Sequence, residues 1–409
     1  MDIAKRFLSY VAYETTSDED SSTTPSTRGQ LPLAAHLCRE LSDMGIEDAR
    51  VDMYGYVYGT LPPNREGMAT VGLIAHMDTA QDMPAKDVRT RTLLYEGGDI
   101  LLDGGDRIPA DGLDYYFGHE LIVTDGTTLL GGDDKAGIAE IMTALEMLIT
   151  ENRPHGRVLV CFTPDEEIGR GTDHFDLASF PADYAYTMDG GRLGELEYEN
   201  FNAARAVVRV MGKSFHPGSA KGRMKNAARI LTELSGLLPP TALPELTEGY
   251  EGFFHLVSMS GTVASAEAVY LIRDHDDAEF AGKKRIMADA VAALNARYGE
   301  GTVLLDVSDT YYNMRSVIDK APHTVERARA AMLALGIRPI ESPIRGGTDG
   351  ALLSHRGLPC PNLGTGSENH HSGQEFASID DMRRAARLIV RIIENAVAVP
   401  EHEPSSTDR

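Results

Sequence analysis

Cysteine is scarce in this chain: its 409 residues include three cysteines, Cys38, Cys161 and Cys360. They lie far apart, form no Cys-x-x-Cys pair and cannot all pair with one another, which argues against a disulfide-stapled fold. We expect buried thiols in a protein from a reducing compartment.

Long apolar runs are also lacking. No stretch of about 18 apolar residues occurs, so no membrane-spanning helix is expected. The N-terminal segment MDIAKRFLSYVAYETTS carries charges within its apolar stretch and no small-residue cleavage site, which is typical of an amphipathic helix rather than a signal peptide. A cytoplasmic location is therefore predicted.

Positive charge is in short supply, since 39 lysines and arginines face 62 aspartates and glutamates, for a net charge of −23. Such a chain is not expected to bind nucleic acid or an anionic membrane through bulk attraction, whereas small soluble molecules and cations stay open as partners. Its composition, 42% hydrophobic and 25% charged, is that of a globular protein, and its length predicts two domains.

Strands and helices alternate in the first and last parts of the chain. MATVGLIAH, RVLVCFT and DYAYTMDGG have the character of buried strands, and AGIAEIMTALEMLI places apolar residues on one helical face. This alternation predicts an α/β domain, a mixed sheet covered by helices, built from residues 1–204 and 313–409. The acidic, glycine-rich segment 96–114 is expected to be a solvated loop, and the tail from Pro400 to be disordered.

Residues 205–312 follow a different order. Strand and helix patterns succeed one another as β-α-β-β-α-β, which is the ferredoxin-like α+β arrangement. The sequence therefore predicts an inserted second domain here.

Histidine and carboxylate residues recur where apolar strands end. His76 and Asp78 follow the apolar run 71–75, and residues two apart on a strand share a face. Glu166 and Glu167 end a second strand, and Asp189 ends a third. In an open α/β sheet, ligands bind at such strand ends.

Two further segments carry the same residue types. Asp133 and Asp134 stand just before a helix, and His370 and His371 lie in a late loop. Each residue alone also fits a structural role, such as a helix cap, a surface turn or a surface histidine. Taken together, imidazoles and carboxylates in these positions indicate a pair of Zn²⁺, Co²⁺ or Mn²⁺ ions with a carboxylate base.

The motifs AHMDT, LLGGDDKAG, TPDEEIGRG, TMDGG and NHHSGQEF, in this order, closely resemble those of the M20 metallopeptidases. PSTRGQ, ELEYENFNAA, HPGSAKG, TEGYEGF, SDTYYNMR and IRGGTDGA extend the resemblance over almost the whole chain. Within that family the chain is most similar to aminopeptidases that act on tripeptides. The resemblance implies a zinc-peptidase catalytic domain with the inserted domain as its lid.

The resemblance also implies two zinc ions per chain and assigns their ligands: His76 and Asp189 for one ion, Glu167 and His371 for the other, and Asp133 between the two. His370, next to His371, stays an alternative ligand. Asp78 would orient His76. Glu166 would be the general base that takes a proton from a water shared by the ions and returns it to the leaving amine.

A tripeptide ends in a carboxylate, which an acidic metal cleft cannot hold without cations. We expect Arg273, Asn313 and Arg345 to hold that end of the peptide. His216, in the HPG motif, is expected to reach the reacting carbonyl once the inserted domain closes.

Other functions stay open on the sequence. The metal residues equally suit another M20 activity, as a dipeptidase, carboxypeptidase or N-acyl amino acid deacylase. A two-metal phosphoesterase and a non-catalytic metal- or peptide-binding protein are further alternatives, whereas serine hydrolysis is not supported because no G-x-S-x-G occurs. In some relatives the inserted domain is a dimer surface, so a homodimer through 205–312 is an additional expectation.

Overall fold

The computed structural model describes residues 1–398, so the tail predicted to be disordered lies outside the described residues. The helices are α1 (Ile3–Val11), α2 (Gln30–Asp43), α3 (Gly132–Thr150), α4 (Ala227–Ser235), α5 (Asp277–Tyr298), α6 (Arg315–Ile318), α7 (His323–Ala334), α8 (Asp349–His355) and α9 (Ile379–Glu394). None of the helices within residues 1–398 is long and apolar enough to span a bilayer.

The strands follow the chain from the N-terminal half into the C-terminal part. They are β1 (Arg50–Val51), β2 (Val57–Leu61), β3 (Val71–His76), β4 (Thr90–Leu94), β5 (Ile100–Leu101), β6 (Arg107–Ile108), β7 (Glu120–Thr124), β8 (Val158–Thr163), β9 (Tyr184–Gly190), β10 (Leu196–Glu197), β11 (Asn202–Met211), β12 (Phe253–Gly261), β13 (Ser265–Asp274), β14 (Val303–Tyr311), β15 (Asn362–Gly364), β16 (Ser367–Glu368) and β17 (Phe376–Ser378).

The described chain forms two compact units. The first comprises Met1–Tyr198, Val317–Glu341 and the residues from Thr348 onward, and the second comprises Glu199–Ser316 and Ser342–Gly347. The inserted domain was predicted at 205–312. The second unit begins six residues earlier, ends four residues later and includes a short return segment as well.

The first unit is built on a seven-stranded sheet with strand order β1-β2-β8-β3-β9-β15-β10. Strands β8, β3, β9 and β15 are parallel neighbours, whereas β1, β2 and β10 run antiparallel to theirs. Ile74, Cys161 and Ala185, on adjacent strands, share one buried cluster with Leu353 of α8. Helix α3 packs on β3 and β9 and against α1 and α9. The predicted α/β fold, a mixed sheet with covering helices, is confirmed.

Helix α3 starts with an irregular turn that matters for the site. Gly131 precedes it with φ +76°, a conformation that favours glycine, and the backbone at Asp133 and Asp134 is not helical. From there the predicted apolar face is buried, including Ile138 and Leu145. The irregular turn therefore presents the two aspartates ahead of a regular, well-packed helix.

A second sheet of the first unit corrects one expectation. Strands β16, β17, β7 and β4 form a four-stranded sheet, and the segment 96–114 contributes the hairpin β5–β6. Ile100, Ile108 and Leu113 from this segment lie in a buried cluster with Phe376. The expectation of a solvated loop was wrong, because apolar residues scattered among acids and glycines pack onto this sheet.

The second unit has its own sheet and core. Its elements follow the chain order β11-α4-β12-β13-α5-β14, and the strands lie in the order β12-β13-β11-β14, all antiparallel. Helices α4 and α5 bury Leu231, Leu234, Met287 and Leu294 in the same cluster as alternate residues of β11 and β13. Residues i and i+2 of a strand share a face, so this alternation covers one face of the sheet.

Candidate metal centre

The carboxyl ends of three parallel strands supply the centre of the site. His76 is the last residue of β3 and lies opposite Thr163, the last residue of β8. Glu166 and Glu167 follow β8 within three and four residues, and Asp189 lies near the end of β9. Because β8, β3 and β9 are adjacent, these side chains converge at one edge of the sheet.

His76 is buried, with 2% of its surface exposed, and faces carboxylates through both ring nitrogens. Its Nε2 lies 2.9 Å from Asp133 Oδ1 and 3.3 Å from Asp189 Oδ1. Its Nδ1 lies 3.1 Å from the backbone oxygen of Asp78 and 3.5 Å from the Oδ1 of that residue. Burial disfavours the protonated ring, but the pKa of His76 is raised because Asp189, Asp133 and Asp78 outweigh that effect.

Asp78 is fully buried and fixes the turn that follows the neighbouring strand β8. Its Oδ1 accepts a hydrogen bond from the backbone N–H of Glu166 at 2.9 Å, and its Oδ2 accepts one from Glu167 at 3.2 Å. One carboxylate therefore contacts the imidazole of His76 and holds the turn that carries the glutamate pair.

Asp133 lies between the imidazoles. While Oδ1 contacts His76, Oδ2 lies 3.3 Å from Nδ1 of His370 and 3.4 Å from Nε2 of His371. The Nε2 of His371 is also 2.9 Å from Glu167 Oε2, and these two carboxylates raise the pKa of His371 to about 11. His370 instead turns its Nε2 to the backbone oxygen of Ser367, at 3.0 Å.

Without cations, the ionised form of the carboxylates at this edge of the sheet is unfavourable. Burial, and then the charge of Asp189, raises the pKa of Glu166 well above its usual value. Burial and then Asp133 raise the pKa of Glu167 to about 7. The Oε1 of Glu167 is buried and has no hydrogen-bond partner among residues 1–398, and such an oxygen is costly unless a cation compensates it.

The donor atoms are grouped as metal ions require. Possible ligand atoms of His76, Asp133 and Glu167 lie within 4.8 Å of one another, and so do those of His76, Glu166 and Asp189. Mixed imidazole and carboxylate donors suit zinc and similar ions. The residues therefore fit a pair of metal ions, and Glu166, predicted as the base, is itself a member of the second group.

Three acidic residues outside the predicted set of metal ligands support this arrangement. Asp134 Oδ2 accepts from the backbone N–H of His76 at 3.1 Å. Glu375 accepts from the backbone N–H groups of Leu130, Gly131 and Asp133 at 2.7–3.0 Å. Asp349, buried near His76, accepts from the Thr163 hydroxyl at 2.8 Å, and burial raises its pKa to about 7.

The four predicted substrate residues all belong to the second unit. His216 heads the turn Pro217–Ser219, and its Nδ1 accepts from the Gly218 N–H at 3.2 Å. Arg273 donates one bond, from Nη1 to the backbone oxygen of Arg345 at 3.1 Å. The Asn313 Nδ2 group donates to the backbone oxygen of His275 at 3.1 Å.

Arg345 is the most fully bonded of the four. Its guanidinium donates to the backbone oxygens of Thr247, Gly249 and Glu251 and to the Thr247 hydroxyl, at 2.7–3.2 Å. It also lies 5.1 Å from the ring centre of Phe201. Arg345 thus ties the return segment to the rest of the second unit.

Comparison with known proteins identifies a family and a relative that this chain resembles. Residues 114–395 match peptidase family M20/M25/M40. The chain is 52% identical over 402 residues to Peptidase T of Caldanaerobacter subterraneus subsp. tengcongensis, which covers 96% of this chain and 98% of that protein.

Solved structures show the same fold. The aminopeptidase PepT of Bacillus cereus superposes with a TM-score of 0.77 at 23% identity, covering 97% of this chain and 98% of that one. A tripeptidase of Staphylococcus aureus superposes with a TM-score of 0.78 at 21% identity, again over 97% and 98% of the two chains.

Proposed function

This chain belongs to peptidase family M20/M25/M40 and is a hydrolase, and we propose that it removes the N-terminal residue from tripeptides with two zinc ions. The observation that carries the proposal is that possible ligand atoms of one histidine and four carboxylates, His76, Asp133, Glu166, Glu167 and Asp189, gather in two overlapping groups at one edge of the sheet. His76 and Asp189 would hold one ion and Glu167 and His371 the other, with Asp133 as a ligand common to both. When bound, such a pair lowers the pKa of a shared water and polarises the scissile carbonyl.

Glu166 is the proton carrier in this proposal. Its backbone N–H is fixed by Asp78, while no hydrogen bond to its carboxylate occurs among the described residues. Burial and the charge of Asp189 raise its pKa in the absence of cations, and its proposed role is to carry a proton from water to the leaving amine. Bound cations oppose that rise in pKa and keep the group able to act as a base in the resting enzyme.

Of the three residues proposed to bind the far end of the peptide, Arg273 has the strongest support. It donates a single bond within its unit, and its Nε is buried without a hydrogen-bond partner among residues 1–398. Its remaining donors can therefore meet a terminal carboxylate. Asn313 and Arg345 keep their proposed roles, but both also hold their own unit together, so their substitution tests binding less cleanly.

The proposal is tested by metal analysis joined to a peptide panel. The purified protein should contain close to two zinc-like ions per chain, and chelation should abolish activity that added zinc restores. Free tripeptides should be cleaved at their first peptide bond, whereas N-acetylated tripeptides should not be cleaved.

The alternatives give distinct results in the same panel. Preferred cleavage of dipeptides, of C-terminal residues or of N-acyl amino acids would assign another M20 activity. Hydrolysis of phosphate esters alone would favour a phosphoesterase, and metal binding without hydrolysis a binding protein. Full turnover by metal-free protein would overturn the two-metal proposal. The cytoplasmic location and the homodimer through the inserted domain stay predictions.

A further inference from the structure

A pocket of about 500 Å³ lies in the first unit, lined by Arg192, Arg338 and Arg384. Three arginines in one pocket stand out in a chain whose net charge is −23. The volume falls in the range of small-molecule sites, roughly 300–1,000 Å³. None of the three arginines has a role in the proposed peptidase reaction.

Two of these arginines keep their hydrogen-bond donors available. Arg192 lies with its guanidinium carbon 3.9 Å from the ring centre of Tyr115, and stacking uses the face of the guanidinium rather than its N–H groups. Neither Arg192 nor Arg338 forms an ion pair or a side-chain hydrogen bond within the described part of the chain. Arg384 is more engaged: its Nη1 lies 3.5 Å from Asp381 Oδ1 and 3.4 Å from the Tyr115 hydroxyl, and its Nη2 donates to the backbone oxygen of Gly336 at 3.4 Å.

The acidic residue that lines the pocket is already paired with other groups. Glu341 lines the pocket, but its carboxylate accepts from Arg329 at 2.8 and 3.0 Å and from the Tyr198 hydroxyl at 2.7 Å. The pocket therefore keeps a positive charge that calls for an anion.

The pocket walls are fixed before any ligand arrives. The backbone of Ile340 donates to Gly194 O at 2.7 Å and accepts from Leu196 N–H at 2.9 Å, so the segment that carries Arg338 is tied to the one that carries Arg192. Leu193 and Ile337, each 3% exposed, supply apolar surface. A preformed cavity with apolar walls and a few charged groups is the usual form of a small-molecule site.

We propose that this pocket binds a small organic anion whose carboxylate or phosphate group is held by Arg192, Arg338 and Arg384. The apolar part of the ligand lies on Leu193 and Ile337. Planar guanidinium groups bind both kinds of oxyanion through paired hydrogen bonds, so the two ligand classes share one recognition chemistry.

Calorimetric titration of the metal-loaded protein with inorganic phosphate and, separately, with succinate tests the proposal. At least one probe should bind with one site per chain that the double variant Arg192→Met/Arg338→Gln loses. Arg338→Gln alone should weaken that site about tenfold, the effect of one lost charge-assisted hydrogen bond. Arg65→Gln, an exposed arginine elsewhere in the first unit, should bind the probe as the wild type does.

The two probes and the variants separate the outcomes. Binding of phosphate alone or of succinate alone identifies the anion class. Binding of equal strength to the wild type and the double variant would place the anion on the metal ions and overturn the proposal, as would the absence of binding at millimolar concentrations. Arg338 is exposed and has no side-chain partner among the described residues. The single variant Arg338→Gln should therefore unfold at the wild-type temperature in anion-free buffer. If the double variant misfolds, this single variant still tests the proposal.

Discussion

Two adjacent glutamates differ in what surrounds them. Glu167 lies 2.9 Å from His371 and belongs to the group with His76 and Asp133. Glu166 lies in the other group, beside Asp189, and its carboxylate receives no hydrogen bond from residues 1–398. Both glutamates offer a carboxylate to a possible metal ion, and the contact with His371 supports the proposed ligand role of Glu167.

Exchanging each glutamate for its amide should separate these roles. Glu166→Gln should lower kcat roughly 10²–10⁴-fold, the usual contribution of a general base, and retain both metal ions. Glu167→Gln should lose one ion, because an amide is a weaker ligand than a carboxylate. Plasma emission analysis and peptide kinetics on the same samples measure both effects.

The reverse pattern would exchange the two assignments. His371→Ala and His370→Ala provide the matched pair for the neighbouring ligand: loss of metal in the first and retention in the second is expected, because His371 is the one that contacts Glu167.

The two-residue period of the strands explains which site residues could be predicted from the sequence. His76 and Asp78 share a strand face, and the glutamate pair ends an apolar strand, so their placement follows from the period of a strand. Glu375 and Asp349 have no such signal. Each acts through a partner far away in the chain, Glu375 on the N–H of Asp133 and Asp349 on the hydroxyl of Thr163, and only the folded chain brings these groups together.

The contact between α3 and β9 depends on Gly137. A Cβ atom at this position would lie 1.9 Å from the backbone oxygen of Met188 and 2.4 Å from Asp134 Oδ1. The backbone oxygen cannot move without shifting the strand that carries Asp189. The helix therefore approaches the sheet closely where it presents the site aspartates.

Gly137→Ala should lower the free energy of unfolding by about 2–3 kcal/mol, as overpacking of a close contact does, and should weaken metal binding because Asp134 is displaced. Gly282→Ala is the matched control in helix α5, since the nearest atom to its added Cβ is the flexible end of Arg285 at 3.7 Å. Gly282→Ala should raise the free energy of unfolding by about 0.5–1 kcal/mol, because alanine is preferred over glycine within a helix. Urea titrations with metal analysis measure both variants, and equal effects of the two would show that α3 has room at this position.

At the scale of elements, the spacing of apolar residues predicted most strands and helices of the first unit. The hairpin β5–β6 was not predicted because its strands are only two residues long. Such strands are too short to show an alternation of apolar and polar residues. Its buried residues Ile100 and Ile108 find their partners on β7 and β17, a sheet that distant segments assemble. Composition alone could not distinguish this hairpin from a solvated loop.

At the scale of the whole molecule, the proposed metal ligands belong to the first unit and the proposed peptide-binding residues to the second. His216→Ala should mainly lower kcat. Arg273→Gln should raise KM for free tripeptides about 10- to 100-fold, the loss of a hydrogen bond between charged groups, without changing metal content.

C-terminally amidated tripeptides are the control for this prediction. The wild type should have a high KM for them, and Arg273→Gln should not raise it further. If the wild type cleaves free and amidated tripeptides equally well, Arg273 does not hold the terminal carboxylate, and an unchanged kcat in His216→Ala would remove that residue from the chemistry.

The order of the strands in the main sheet has a consequence for biosynthesis. Strands β1, β2, β8, β3 and β9 are contiguous in the sheet and are all made before residue 191, whereas β15 covers the far edge of β9 and bridges it to β10. Roughly 170 residues separate Gly190 from Asn362, and at roughly 5–20 residues per second about 10–30 s pass before β15 leaves the ribosome.

During that interval the nascent chain carries an open strand edge at β9, next to Asp189, and lacks His371. An open edge is a template for pairing with other chains. The growing polypeptide therefore exposes this edge until residues 362–364 emerge, and the proposed second metal ion could be fully coordinated only once His371 has been translated.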